Sequence, residues 1–155
     1  MKSSRIMQNI EKLNSLVHQI ETKLKNPQHN LAHNLREENL KQLQYLYTKL
    51  EISKKHPDYN TLFDYKAMNL AGIGLKNEDF GTIREGKYVQ IISIIYVLNN
   101  QGKRTAKNIS LAYFGKAEKI APELKKNIIE FVLRWRYEKA FQHTEYYQNL
   151  LSKLS

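Results

Sequence analysis

Six apolar residues near the start of the chain recur with one spacing. Ile6, Ile10, Leu13, Val17, Ile20 and Leu24 are separated by 4, 3, 4, 3 and 4 residues. An apolar period of 3.5 over about three heptads specifies a helix with a narrow seam, and it excludes a strand, whose period is two. Ser3 or Ser4 can cap this helix. Asn26-Pro27 ends it, and Pro27 is equally suited to open the next one. Leu31, Leu35, Leu40, Leu43, Leu46, Tyr47 and Leu50 carry a second, less regular pattern. Asn34 with Glu37 makes a capping-box variant, so the second helix starts either at Pro27 or near Leu35. Residues 5–53 therefore predict a helical hairpin. Its seam, Ile6 to Leu24, is a partner interface, toward another protein or toward a second copy.

Lys54-Lys55-His56-Pro57-Asp58 breaks the pattern. A short helix is expected over Tyr59 to Leu70. Gly72, Gly74, Gly81 and Gly86 fall within fifteen residues and predict a flexible loop over 71–86. Tyr88 to Asn99 is apolar all round. Its β-branched Ile91, Ile92, Ile94, Ile95 and Val97 let a buried strand compete with a buried helix. Length and the polar stop at Asn99-Asn100-Gln101-Gly102 favour the helix. Thr105 to Phe114 reads as a short helix with Gly115 as its C′ residue. Pro122 opens a long helix whose stripe is Leu124, Ile128, Phe131 and Trp135, running toward Leu154. The expected fold class is all-α, one domain over 1–155. Its lobes are a helical hairpin (1–56), a short helix with a glycine-rich joint (57–86) and a basic helical lobe (87–155).

Composition narrows the chemistry. The 155 residues include no cysteine, which removes disulfides, thiolate nucleophiles, cysteine zinc sites and iron–sulfur clusters. The longest apolar run, 88–98, is far short of the roughly 20 residues of a membrane span. Residues 1–10 contain no apolar signal-peptide core. The expected location is cytoplasmic, with no membrane partner. The net charge is +10. Counted along the chain it is +4 over 1–60, zero over 61–100 and +6 over 101–155. A cationic excess concentrated at one end suggests a surface that meets a polyanion.

The stretch Thr105-Ala-Lys-Asn-Ile109-Ser-Leu-Ala-Tyr-Phe-Gly115, between an apolar segment and a basic helix, resembles a helix-turn-helix core. That resemblance places a recognition helix at Pro122, with Lys125 and Lys126 in its first turn. Lys103, Arg104, Lys107, Lys116 and Lys119 would then meet phosphates. Of the side chains that read bases, only Asn127 falls early in that helix, so backbone affinity is expected over sequence specificity. Arg134 and Arg136 flank Trp135, and Lys139 follows. They read either as snorkelling borders of a core tryptophan or as the rim of a nucleic-acid groove.

Arg136 and His143 lie seven residues apart, on one face of a continuous helix. This Arg-x6-His pair resembles the motif of HEPN-type RNases, small all-helical proteins. The resemblance implies that His143 acts as acid or base while Arg136 binds the scissile phosphate. His29 and His33 have i, i+4 spacing with Glu37 one turn on, and they read as surface residues rather than metal ligands. Pro57-Asp58 with Asp64-x-Lys66 has the letters of a metal-dependent nuclease signature without room for its strands. No Walker A, nucleophile elbow or dinucleotide fingerprint is present. The reading is a non-enzymatic nucleic-acid-binding or nucleoprotein-assembly protein, with no cofactor or metal. The alternatives are a protein-interaction module whose charge docks on an acidic partner, and an RNase using Arg136 and His143.

Overall fold

The structure, a computed structural model, describes the backbone of residues 2–25 and 27–155 and the side chains of residues 4–19 and 31–155. Helix α1 spans Lys2–Lys25 and α2 spans Pro27–Lys49. Both are helical where the seam and Pro27 predict it. The chain divides into two compact units, Met1–Glu38 and Asn39–Ser155, with the division inside α2. In the first unit the seam is open: Ile6, Ile10, Leu13 and Val17 are 58%, 51%, 60% and 44% exposed. The side chains of Ile20, Leu24 and His29 lie outside the described residues. His33 pairs with Glu37 at 3.0 Å, and no group of three metal-ligating side chains occurs among the described residues.

The second unit is not all-α. A short helix α3 (Ile52–Lys55) and a 3-10 turn (Tyr59–Asp64) lead into a three-stranded antiparallel sheet. Its strands are β1 (Ala67–Ala71), β2 (Tyr88–Leu98) and β3 (Arg104–Lys116), in the order β1-β2-β3. Helix α4 (Pro122–Ser152) follows. The fold is α+β. This overturns the all-α expectation, the helices expected at 88–99 and 105–114, and the C-terminal half of the one at 59–70. The helix-turn-helix reading falls with them, because its first helix is strand β3. The all-helical architecture implied by the RNase resemblance is absent as well.

The alternation of β2 explains the misreading. Val89, Ile91 and Ser93 point into the core, while Ile92 and Ile94 stay half-buried on the other face. Isoleucine on both faces hides the period of two. The polar stop is the hairpin turn. Asn99 N donates to Lys103 O at 2.8 Å, and Asn99 Oδ1 accepts from the N–H groups of Gln101 and Lys103, both at 2.9 Å. An asparagine side chain folding back on its own turn is a hairpin device. Gly115 has φ 91°, but at a register shift opposite Val89 and Gln90 rather than after a helix. A glycine at positive φ serves a β-bulge as readily as a helix C-terminus.

The glycine-rich segment after β1 is ordered. Gly74 N donates to Thr82 O at 2.9 Å and Arg84 N to Gly72 O at 3.0 Å, with a bridge between Ile73 and Ile83. Gly72 has φ +89°, and a Cβ there would lie 2.7 Å from the Tyr88 carbonyl oxygen. Only glycine suits that approach to β2. The core joins Leu43 and Leu46 of α2, Leu50 in the turn after it, Leu62, the inward residues of the sheet, and Ile128, Phe131, Val132 and Trp135 of α4. Pro122 does open α4, and three of its four stripe residues are buried as expected. Among the described residues no helix is long and apolar enough to cross a membrane.

Candidate nucleic-acid interface

Strand β1 is an edge of the sheet, and α4 packs beside it. Arg136 fastens the two together. Its Nε and Nη2 donate to the Met68 carbonyl oxygen at 3.0 and 2.9 Å, and Nη2 lies 3.4 Å from Asn69 Oδ1. A planar guanidinium suits such a two-pronged contact, which a lysine cannot make. Two open hollows meet at Arg136 and Asn69. One, about 340 Å³, also presents Lys66, Lys139 and His143. The other, about 260 Å³, also presents Lys76 and Arg84. Together they form a groove along the β1 edge with five basic side chains and one histidine.

The acids near this groove are few. Asp79 faces Arg84 at 3.4 Å, and its Oδ1 accepts the Lys76 backbone N–H at 3.0 Å. Asp64 lies near Lys139. Among the described residues no carboxylate is within ion-pair distance of Lys66, Arg136 or Lys139. Lys139 is half-buried. Its Nζ donates to the Phe63 carbonyl at 2.8 Å and sits 5.7 Å over the Trp135 ring. Burial pushes its pKa below the ordinary 10.5, the charge on Lys66 pushes it further, and Asp64 opposes both.

The direction of that shift sets a pH dependence. In the free protein Lys139 loses its proton at lower pH than an unfolded lysine does, so its charge opposes folding near neutral pH. That penalty fades as pH rises through the lowered pKa. An anion between Lys66 and Lys139 favours the charged form and raises the pKa back. Binding of a polyanion should therefore weaken as pH rises through the lowered pKa, and should take up protons there. Calorimetry in two buffers of different ionisation enthalpy measures that uptake. No uptake on the acid side of the ordinary lysine value would show that Lys139 is not in contact with the anion.

Only two of the ten expected phosphate contacts, Arg136 and Lys139, reach this groove. Lys103, Arg104 and Lys107 lie at and beside the tip of the β2–β3 hairpin, beyond the reach of β1, where Arg104 stacks 4.6 Å over Tyr96. Lys116 and Lys119 sit at the opposite end of β3. Lys125 donates to Gly81 O at 3.2 Å, and with Lys126 it borders a separate hollow of about 510 Å³ floored by Phe80, Ile129 and Leu133. Arg134 is held by Glu130 at 2.8 Å and by Asn39 at 3.1 Å. The basic residues of the C-terminal third are thus distributed over several faces. Arg136 and His143 do line one hollow, as their spacing predicts, with the guanidinium turned to the Met68 carbonyl. Lys66, Asn69, Lys76 and Arg84 were not expected. They come from the electrically neutral middle of the chain, so no charge count marks them. No protein-family model, no curated protein and no solved structure matches this chain.

Proposed function

We propose that this protein binds the phosphodiester backbone of a nucleic-acid strand in the groove between β1 and α4, without acting on it as an enzyme. The observation that carries the reading is the set of Lys66, Arg136, Lys139 and His143 around one open hollow, with no carboxylate in ion-pair contact with the three strong bases among the described residues. Lys66 and Lys139 repel each other, and a phosphate between them relieves that repulsion. Phosphate oxygens also accept the lysine N–H donors as charge-assisted hydrogen bonds. The exposed hairpin tip, with Lys103, Arg104, Lys107 and Tyr96, offers a second cationic and aromatic contact of the kind that single strands use.

The test is a binding series with labelled single-stranded RNA, single-stranded DNA and duplex DNA, each shortened stepwise to a dinucleotide. Polyglutamate serves as a polyanion without phosphate. Affinity should fall steeply with salt, and the length series should give the site size. Equal binding of polyglutamate would move the reading to an acidic protein partner. Absence of binding at micromolar protein and low salt would end it.

A further inference from the structure

We infer that the hollow between Phe80 and α4 binds a small amphipathic anion, an apolar chain of medium length ending in a single anionic head such as a carboxylate. The hollow, about 510 Å³, is built by one side of α4 and by Phe80-Gly81 across from it. Lys125, Ile129 and Leu133 step by four along α4, and Lys126, Glu130 and Arg134 form the next row. Side chains four apart share a helix face, so the first row lays an apolar floor with a cation at its N-terminal end. Phe80 is 56% exposed, yet its turn is fixed. Gly81 N donates to Gly74 O at 2.8 Å, Thr82 N donates to Asp79 O at 2.9 Å, and Asp79 Oδ1 accepts the Lys76 N–H at 3.0 Å. An exposed aromatic ring on a hydrogen-bonded turn is a preformed wall. An apolar hollow of this volume with a few polar groups at its rim has the make-up of a small-molecule site.

The charges around the rim identify the occupant. Lys125 Nζ is held there by Gly81 O at 3.2 Å, and Lys126 is exposed beside it. Among the described residues no carboxylate lies within ion-pair distance of either. At the other end Arg134 is engaged by Glu130 at 2.8 Å and by Asn39 at 3.1 Å, so that cation is already compensated. The hollow is therefore apolar along its length and cationic at one end. An anionic head there accepts charge-assisted hydrogen bonds from the two ammonium groups, while the chain covers Ile129 and Leu133 beneath Phe80. A cationic ligand would meet the lysines head-on, and a polyanionic strand would find nothing polar on the floor. A folded partner needs about 1,000 Å² of buried surface, and the apolar wall here is three side chains. From Lys125 to Leu133 the floor runs about 12 Å along the helix axis, which suits a medium-length chain. The hollow shares no residue with the groove along β1, so the inference stands apart from the nucleic-acid reading.

Titration calorimetry of the full chain with decanoate, kept below its micelle-forming concentration, should show saturable binding of one molecule. Across hexanoate, octanoate and decanoate the affinity should rise roughly two- to fourfold per methylene. Decyltrimethylammonium, the same chain with a cationic head, should bind at least tenfold more weakly. Phe80→Ala and Lys126→Glu both change exposed side chains, so the fold should persist by circular dichroism. Each should lower decanoate affinity at least fivefold. Val17→Asp on the exposed face of α1 should leave it unchanged. Absence of saturable decanoate binding would overturn the inference. So would equal binding of the cationic analogue, or a loss caused by Val17→Asp and not by Phe80→Ala or Lys126→Glu.

Discussion

Alanine in place of Trp135 should cost the unit formed by residues 39–155 about 3–5 kcal/mol of folding stability. The indole is 2% exposed and packs among residues of α4, the 3-10 turn and the sheet. Its Nε1–H donates to the Leu62 carbonyl at 2.9 Å, and Leu62 is itself fully buried. Truncation removes the largest apolar side chain of the α4 stripe and leaves that carbonyl without its donor, which adds about 1–3 kcal/mol where no water can replace it. A domain of this size has about 5–15 kcal/mol in total, so the alanine variant should be close to unfolding at room temperature. Trp135→Phe separates the two contributions. It keeps a six-membered ring in the core while removing the N–H and part of the ring volume, and should cost about 1–3 kcal/mol, less than the alanine variant. Urea unfolding followed by circular dichroism measures both, since the only tryptophan is the one replaced. A loss below about 1 kcal/mol for the alanine variant would be incompatible with this burial.

Trp135 also shows what could be read from the sequence. Leu124, Ile128, Phe131 and Trp135 step by 4, 3 and 4 after a proline, and α4 starts at that proline with the last three buried. Local periodicity carried the information because the helix closes its own hydrogen bonds. The sheet is different. Residues 88–98 gain strand geometry by pairing with 104–116 and with 67–71, and such partners are invisible to a window of eleven residues. Isoleucine on both faces removed the remaining signal, and Gly102 and Gly115 serve turns and bulges as well as helix ends. The candidate groove divides in the same way. Arg136 and Lys139 lie on the legible helix. Lys66, Asn69, Lys76 and Arg84 reach it only because β1 lies along α4, a long-range juxtaposition that no spacing encodes.

Removing the charges at Lys66 and Lys76 should weaken nucleic-acid binding by roughly tenfold or more at low salt, and should flatten the salt dependence. Both side chains are exposed, so Lys66→Gln with Lys76→Gln should leave the fold intact. If each lysine neutralises one phosphate of a single strand, the slope of log affinity against log salt should fall by about 0.7 per lysine, about 1.4 for the pair. Arg136→Lys is expected to behave otherwise. It keeps the charge but loses the paired contact with the Met68 carbonyl, so it should lower stability while leaving the salt slope unchanged. The hairpin tip supplies the comparison. Neutralising Lys103, Arg104 and Lys107 together removes three charges from a surface remote from the β1 edge. If the tip variant lowers the slope and the groove variant does not, phosphates meet the hairpin and the groove reading fails. If both lower it, the strand runs from the groove to the tip, and the shortest oligonucleotide that needs both sets of lysines measures that path. If only the groove variant acts, the site is confined to the β1 edge. Lys139, the lysine there whose charge is already disfavoured, should then account for the alkaline loss of affinity.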